Sequence, residues 1–342
     1  FTMLESSLED RSKWDFLAKQ FIFVSDVSPI TDNQLLAHMY PGQGSQYVGM
    51  THDLSMRYGI IGSTWKEADV VMEDIIGEPL SDFVLRTGLS KQEMAIAEEK
   101  LKQTEYTQPA MLTADLALER LLNQHGIHPD MVAGHSLGEY AALMVSGILR
   151  FEDALRAAAA RGTEMGSVEV PDRGIMASIT APFEAIESVL SSVDGYVIAA
   201  NKNSPTMTVI AGETEPMREA MRLFEEGGAT VVQLQTSHAF HSRIVAPANE
   251  PLRRFLEGLE ISLPSIPISA NVDGTFYPND VQPGQDVKDA ILEKLAPQMS
   301  SAVEWTSQIR SMHEAGARLY LEVGPKRALA LFASQIIDED DC

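Results

Sequence analysis

Short apolar runs alternate with longer stretches of helical periodicity along most of this chain. Residues 129–133 form a brief apolar run before Gly134, and a helical pattern of small residues follows at 140–147. Helical spacing also marks 64–76, 107–125 and the alanine-rich stretch 151–165. The texture changes from residue 174. There 174–180 reads as a strand, 183–193 as an amphipathic helix, and 196–200 and 206–211 as two further strands. Residues 215–226 read as a helix capped by Thr214, with Pro216 tolerated in its first turn, and 230–235 as a strand. Alternation of helix and strand then resumes: helix 246–259, strand 266–271, helices 287–295 and 303–315, strand 318–322, and a terminal helix from Lys326. The Pro/Gly/Asp-rich residues 273–286 read as a loop.

The order β-α-β-β-α-β over 173–236 is that of a ferredoxin-like unit, inserted into a larger α/β pattern. Four segments are therefore expected. Residues 1–36 form a leader or inter-domain linker with some helical content, and 37–172 with 237–335 form the large domain. Residues 173–236 form the insert and 336–342 a tail. The chain begins with Phe1 instead of Met, which points to a domain cut from a multidomain protein.

Composition narrows the function. With 26 basic and 49 acidic residues the formal net charge is −23, which argues against nucleic acid and anionic membranes as partners. It also requires that any anionic substrate be held by a locally placed cation. No apolar stretch approaches the roughly 20 residues of a membrane span. The single cysteine, Cys342, leaves no disulfide within one chain and suits a reducing, cytoplasmic compartment. The eight histidines show no metal-ligand spacing, so no metal is expected.

The most informative local feature is Gly134-His135-Ser136-Leu137-Gly138, a Gly-X-Ser-X-Gly pentapeptide between the apolar run and the small-residue helix. A serine between glycines also suits a plain surface turn. The strand before it and the helix after it favour a nucleophile elbow, which presents Oγ where exposed N–H groups and the helix dipole can stabilise an oxyanion. Such a serine needs a base. His238 and His241 lie where the insert ends and the chain returns to the large domain, a place that faces the cleft between them. No Asp or Glu stands out as a third triad member.

These segments, with several others, resemble the acyltransferases that load malonyl units onto acyl carrier proteins. Those include the bacterial fatty-acid-synthesis enzyme and the acyltransferase domains of polyketide and polyunsaturated fatty acid synthases. The resemblance rests on Pro-Gly-Gln-Gly-Ser-Gln at 41–46, Tyr-Thr-Gln-Pro-Ala at 106–110, the elbow at 134–140, Arg161, Asn-Ser-Pro at 203–205 and Val-Ile-Ala-Gly at 209–212. It continues through His-Ala-Phe-His-Ser at 238–242, Gln298, Val-Glu-Trp at 303–305 and Glu-Val-Gly-Pro at 322–325, in the family's order. It implies an α/β fold: an α/β-hydrolase-like large domain with a parallel sheet, plus the inserted ferredoxin-like α+β subdomain.

The resemblance also implies roles. Ser136 is the nucleophile and His241 its general base, oriented by the backbone carbonyl of Gln298, which accounts for the missing acid. The N–H groups of Gln43 and Leu137 form the oxyanion hole. Arg161 binds the free carboxylate of malonyl, for which a planar guanidinium fork is suited. Gln108 and Asn203 are further substrate contacts. Domains of this family that take malonyl read His-Ala-Phe-His where those taking methylmalonyl read Tyr-Ala-Ser-His, so His238 and Phe240 set substrate choice. Glu139 and His135 are expected to be structural and Trp305 to lie in the core.

Malonyl-CoA is the implied donor, the phosphopantetheine thiol of an acyl carrier protein the acceptor, and neighbouring synthase domains the partners; no permanently bound cofactor is implied. The alternative is a serine esterase or thioesterase, which uses the same elbow, and a silent docking domain is the rival from another class. Two departures from the family stand out. His38 interrupts an otherwise apolar strand and is expected to reshape its packing, and Lys326-Arg327 replaces a small residue after Gly324-Pro325.

Overall fold

The computed structural model describes residues 34–340, so residues 1–33 of the expected leader and Cys342 lie outside the described residues. The fold is α/β. Strands β1 (Leu35–Tyr40), β2 (Met131–Gly134), β7 (Ile268–Ser269) and β8 (Ala317–Glu322) form a parallel sheet in the order β7-β2-β1-β8. Both faces are covered by helices, and β2 is buried at every position. This is why these strands read as continuous apolar runs without alternation.

Strands β3 (Ile175–Thr180), β4 (Val197–Ser204), β5 (Met207–Gly212) and β6 (Thr230–Gln233) form a separate antiparallel sheet in the order β4-β5-β3-β6. Helices Phe183–Ser192 and Thr214–Glu226 contribute Ile186, Met217, Ala220 and Phe224 to the core of this sheet.

The helix Phe151–Gly166, whose Ala154, Ala157 and Ala158 are buried, packs against the helix Thr104–Gln124 at Gly162, whose carbonyl accepts from Thr104 Oγ1 at 2.7 Å. Small side chains let the two axes approach, and the same face carries Arg161 inward. Among the described residues no helix is long and apolar enough to cross a membrane.

Several local expectations change. Thr214 is the first helical residue and not the cap. Its N–H and hydroxyl donate to Asp172, at 2.8 and 2.6 Å, so the helix N-terminus is satisfied by a carboxylate 42 residues away. The expected helix 246–259 divides into a 3₁₀ segment Arg243–Ala248 and a helix Asn249–Glu257. Pro247 lies in the 3₁₀ segment and offers no N–H for an i→i−4 bond. The expected strand 266–271 pairs only over Ile268–Ser269. The last helix begins at Leu329 instead of Lys326, because Lys326 adopts φ 65, and it continues to Asp340.

His38 leaves the strand regular. It pairs with Val132 on one side and Leu321 on the other, while its Nδ1 meets Glu119 Oε2 at 2.7 Å. The register irregularity falls at Leu35/Leu36. An unpredicted helix, Lys91–Leu101, opens on a capping box between Ser90 and Glu93.

Candidate active site

Ser136 follows directly on β2 and precedes the helix Gly138–Val145. Its φ of 52 is unusual for a residue with a side chain and reflects the tight strand-to-helix turn. The flanking glycines are required by contact. A β-carbon on Gly138 would lie 2.0 Å from the carbonyl oxygen of Tyr40, and one on Gly134 2.0 Å from the Gly138 carbonyl. The turn is clamped by Asn271 at the end of the β7 segment. Its Oδ1 accepts from the Ser136 N–H at 2.7 Å and its Nδ2 donates to the Gly134 carbonyl at 2.7 Å. Asn271 also donates its backbone N–H to Glu139 at 3.0 Å, and Tyr277 donates its hydroxyl to the same oxygen at 2.9 Å. Burial raises the Glu139 carboxyl to about 7.

His241 lies 2.7 Å from Ser136 Oγ through Nε2. Its Nδ1 faces the carbonyls of Gln298 at 3.2 Å and Ser301 at 3.0 Å. Carbonyls only accept, so Nδ1 carries the proton and Nε2 presents its lone pair to the serine hydroxyl. Burial, then the Arg161 cation, then His135 hold this imidazole at about 3, well below its ordinary 6.5, so it is neutral near pH 7. His241 also has φ 55, held by its N–H bond to the Met299 carbonyl at 2.9 Å.

Arg161 is fully buried and meets no carboxylate in an ion pair among the described residues. Nη1 donates to Gln108 Oε1 at 3.0 Å. Nε and Nη2 donate to Gln298 Oε1 at 3.3 and 3.1 Å, and Nη2 lies 3.4 Å from Ser136 Oγ. One N–H of Nη1 is left over. The outer edge of the guanidinium therefore holds one unused donor and one long contact toward the serine. Gln298 is a three-way junction. Its side-chain oxygen receives Arg161, its Nε2 donates to the Ser136 carbonyl at 2.6 Å, and its own carbonyl faces His241.

The backbone N–H groups of Gln43 and Leu137 form no hydrogen bond among the described residues. Gln43 Oε1 accepts from Gln108 Nε2 at 3.1 Å. A cleft of about 920 Å³ opens over Ser136 and His241, with Gln43, Asn203 and Phe240 on its walls. Arg161, Gln108, Gln298, Leu137 and His238 do not line this open space. The first three lie behind the serine, whereas His238 turns away, Nε2 meeting the Val168 carbonyl at 3.0 Å and Nδ1 Ser237 Oγ at 3.1 Å. Asn203 lines the cleft, but its Oδ1 accepts from His135 at 2.7 Å. His135 stacks edge-on against buried Trp305.

Asn271 and Ser301 escaped the sequence reading. An Asn closing a predicted parallel strand was a usable signal for the first. Nothing local marks a carbonyl such as that of Ser301.

Among the described residues no acid completes a triad; a neutral histidine and a strained serine face one cleft, with a buried cation behind the serine, an arrangement suited to serine-based acyl transfer. The chain belongs to the acyl transferase domain family, whose model matches residues 37–339. It is 34% identical over 307 residues to the malonyl CoA-acyl carrier protein transacylase of Escherichia coli O157:H7, covering 88% of this chain and 93% of that protein. It is 31% identical to part of the polyketide synthase GfsB of Streptomyces halstedii, covering 88% of this chain and 5% of the synthase. Among solved structures it superimposes on a malonyl-transacylase held in complex with its type II polyketide acyl-carrier protein. There the TM-score is 0.77 at 33% identity, with 89% of this chain and 94% of that chain covered.

Proposed function

We propose that this chain moves a malonyl group from malonyl-CoA to the phosphopantetheine thiol of an acyl carrier protein through an ester on Ser136. The observation that carries the choice of malonyl is Arg161. A fully buried guanidinium with no ion pair among the described residues, whose one nearby acid, Glu139, is itself raised to about 7, is costly, and its open edge points at the nucleophile. A substrate carboxylate supplies the missing anion and fixes the thioester carbonyl over Ser136. The transacylase relatives support the same substrate.

In the first half-reaction Ser136 Oγ attacks the thioester carbonyl while its proton passes to His241 Nε2. The oxyanion is received by the N–H groups of Leu137 and Gln43. The C–S bond then breaks, the coenzyme thiolate takes the proton from His241, and the malonyl ester remains. In the second half-reaction the carrier thiol gives its proton to His241 and its sulfur attacks the ester. Ser136 leaves with the proton returned to it. The two Nδ1-facing carbonyls support the transient imidazolium without a buried acid. Every proton and group is carried by these side chains and the two thiols, so no step calls for a bound cofactor.

In this reading residues 37–172 and 237–335 hold the chemistry, and 173–236 supply one wall of the cleft. Neighbouring domains of a synthase are the natural setting, since relatives include segments of such chains. The single cysteine supports a cytoplasmic location.

The test is mass spectrometry after mixing with malonyl-CoA. The expected product is one malonyl adduct on Ser136 that persists in water and is discharged by a holo carrier protein. The Ser136→Ala variant should show no adduct. Rapid hydrolysis of the adduct without transfer would instead identify a thioesterase.

A further inference from the structure

Lys326 stands in the loop that follows β8, and the loop that follows the neighbouring strand β1 carries Gln43 and Gly44. The two loops meet at one polar contact: Lys326 Nζ donates to the carbonyl of Gly44 at 2.8 Å, across 282 positions of sequence. Two features make this contact more than a stray surface lysine. Lys326 holds φ 65, a left-handed backbone that disfavours any residue with a β-carbon. Its ammonium also forms no ion pair among the described residues. It engages a neutral carbonyl although Glu99 and Glu105 line the same cleft.

The Gly44 carbonyl belongs to the loop whose Gln43 N–H is one of the two unbonded donors beside Ser136. Apart from Lys326, this loop is tied by the Gly44 N–H to Gln46 Oε1 at 2.7 Å and by the Gln43 side chain to Gln108. Gln46 belongs to the same stretch of chain, whereas the Gln108 and Lys326 bonds reach other segments.

We propose that Lys326 is a positioning residue, a latch that fixes the peptide of Gly44 and thereby aims the Gln43 N–H at the developing oxyanion. This rests on the proposed formation of a malonyl ester on Ser136, with Gln43 as an oxyanion donor. The lysine itself touches neither the acyl group nor the serine. Its action is on the rate of ester formation, not on the binding of the coenzyme.

The test compares the full chain with Lys326→Gly, Lys326→Met and Lys326→Arg in single-turnover acylation of Ser136. Two donors are used: malonyl-CoA, and malonyl-N-acetylcysteamine, which carries no phosphate. For the Gly and Met variants the acylation rate should fall about three- to tenfold with both donors and with unchanged half-saturation. Arg should retain most of the rate. The Gly variant should melt no lower than wild type, because glycine adopts the left-handed backbone freely. A loss confined to malonyl-CoA would make Lys326 a phosphate contact, and unchanged rates in the Gly and Met variants would remove it from the site. Either result overturns the latch, as would a fall in rate matched by a fall in melting temperature in the Gly variant. Failure of the underlying reading is seen separately, as wild type that forms no malonyl ester.

Discussion

Arg161 Nη2 lies 3.4 Å from Ser136 Oγ, with the cation fully buried and three of its other donors bonded to two glutamines. A charge placed there acts on both partners of the ester chemistry. In the proposed function it offers the substrate a carboxylate site within reach of the nucleophile, and it adds to burial in holding the neighbouring His241 neutral. The water-excluded setting strengthens both effects relative to a surface arginine.

Arg161→Ala should lower malonyl transfer sharply, by about 100-fold or more for a lost buried charge pair with the substrate. Acetyl and other neutral acyl groups should gain relative to malonyl. Arg161→Lys should rescue in part, since an ammonium cannot reproduce the fork. Rates with malonyl-CoA and acetyl-CoA, on protein whose circular dichroism is unchanged, decide the matter. Equal losses for the two would mean that the arginine only supports the fold.

His241→Ala should slow both half-reactions by about 100-fold or more. His238→Ala should act on stability or on substrate choice, because its ring is engaged by the Val168 carbonyl and stands away from Ser136. Separate measurement of ester formation and of discharge to the carrier distinguishes the two. If His238 were the more damaging position, the base would be misassigned.

The pH profile should be displaced to acid. Because the folded His241 titrates at about 3, the neutral base persists as pH falls through 6.5, and single-turnover acylation should hold there. Arg161→Ala removes the second-largest cause of the depression and should move the acid limb upward. Stability has its own sign. The unfolded chain protonates this histidine first, so its contribution to folding is complete above about pH 6.5 and is lost as pH falls from there toward 3. A wild-type acid limb at or above 6.5, measured on protein that is still folded, contradicts the assignment.

Phe240→Ser should widen the cleft wall beside the substrate α-carbon. Acceptance of methylmalonyl relative to malonyl should rise by about tenfold or more, the scale on which an apolar pocket discriminates one methylene. A competition assay with both thioesters reads the ratio directly. No change in that ratio would place substrate choice elsewhere on the cleft wall.

The elbow was legible in the chain because its requirement is local: two glycines, a serine, a strand before and a helix after. The alternation of helix and strand was legible for the same reason, and so was the order of the inserted antiparallel unit, whose β-branched runs and amphipathic helices carry their own periods. His241, Arg161 and Gln298 could be named from motifs, but no spacing showed that they meet.

The rest was decided by contacts between distant segments. Thr214 looked like a helix cap until Asp172 supplied the acceptor from another segment. His38 looked disruptive because Glu119, 81 positions away, cannot be seen from the strand itself. Asn271 clamps Ser136 from 135 positions away, and Gln298 links the arginine, the serine and the histidine at separations of 137, 162 and 57. Backbone preferences and hydrophobic periods act over a few residues and are written in the chain. The direction of a carbonyl, the charge facing a buried imidazole and the partner of a buried cation exist only once the sheet, the helices and the inserted subdomain have packed together.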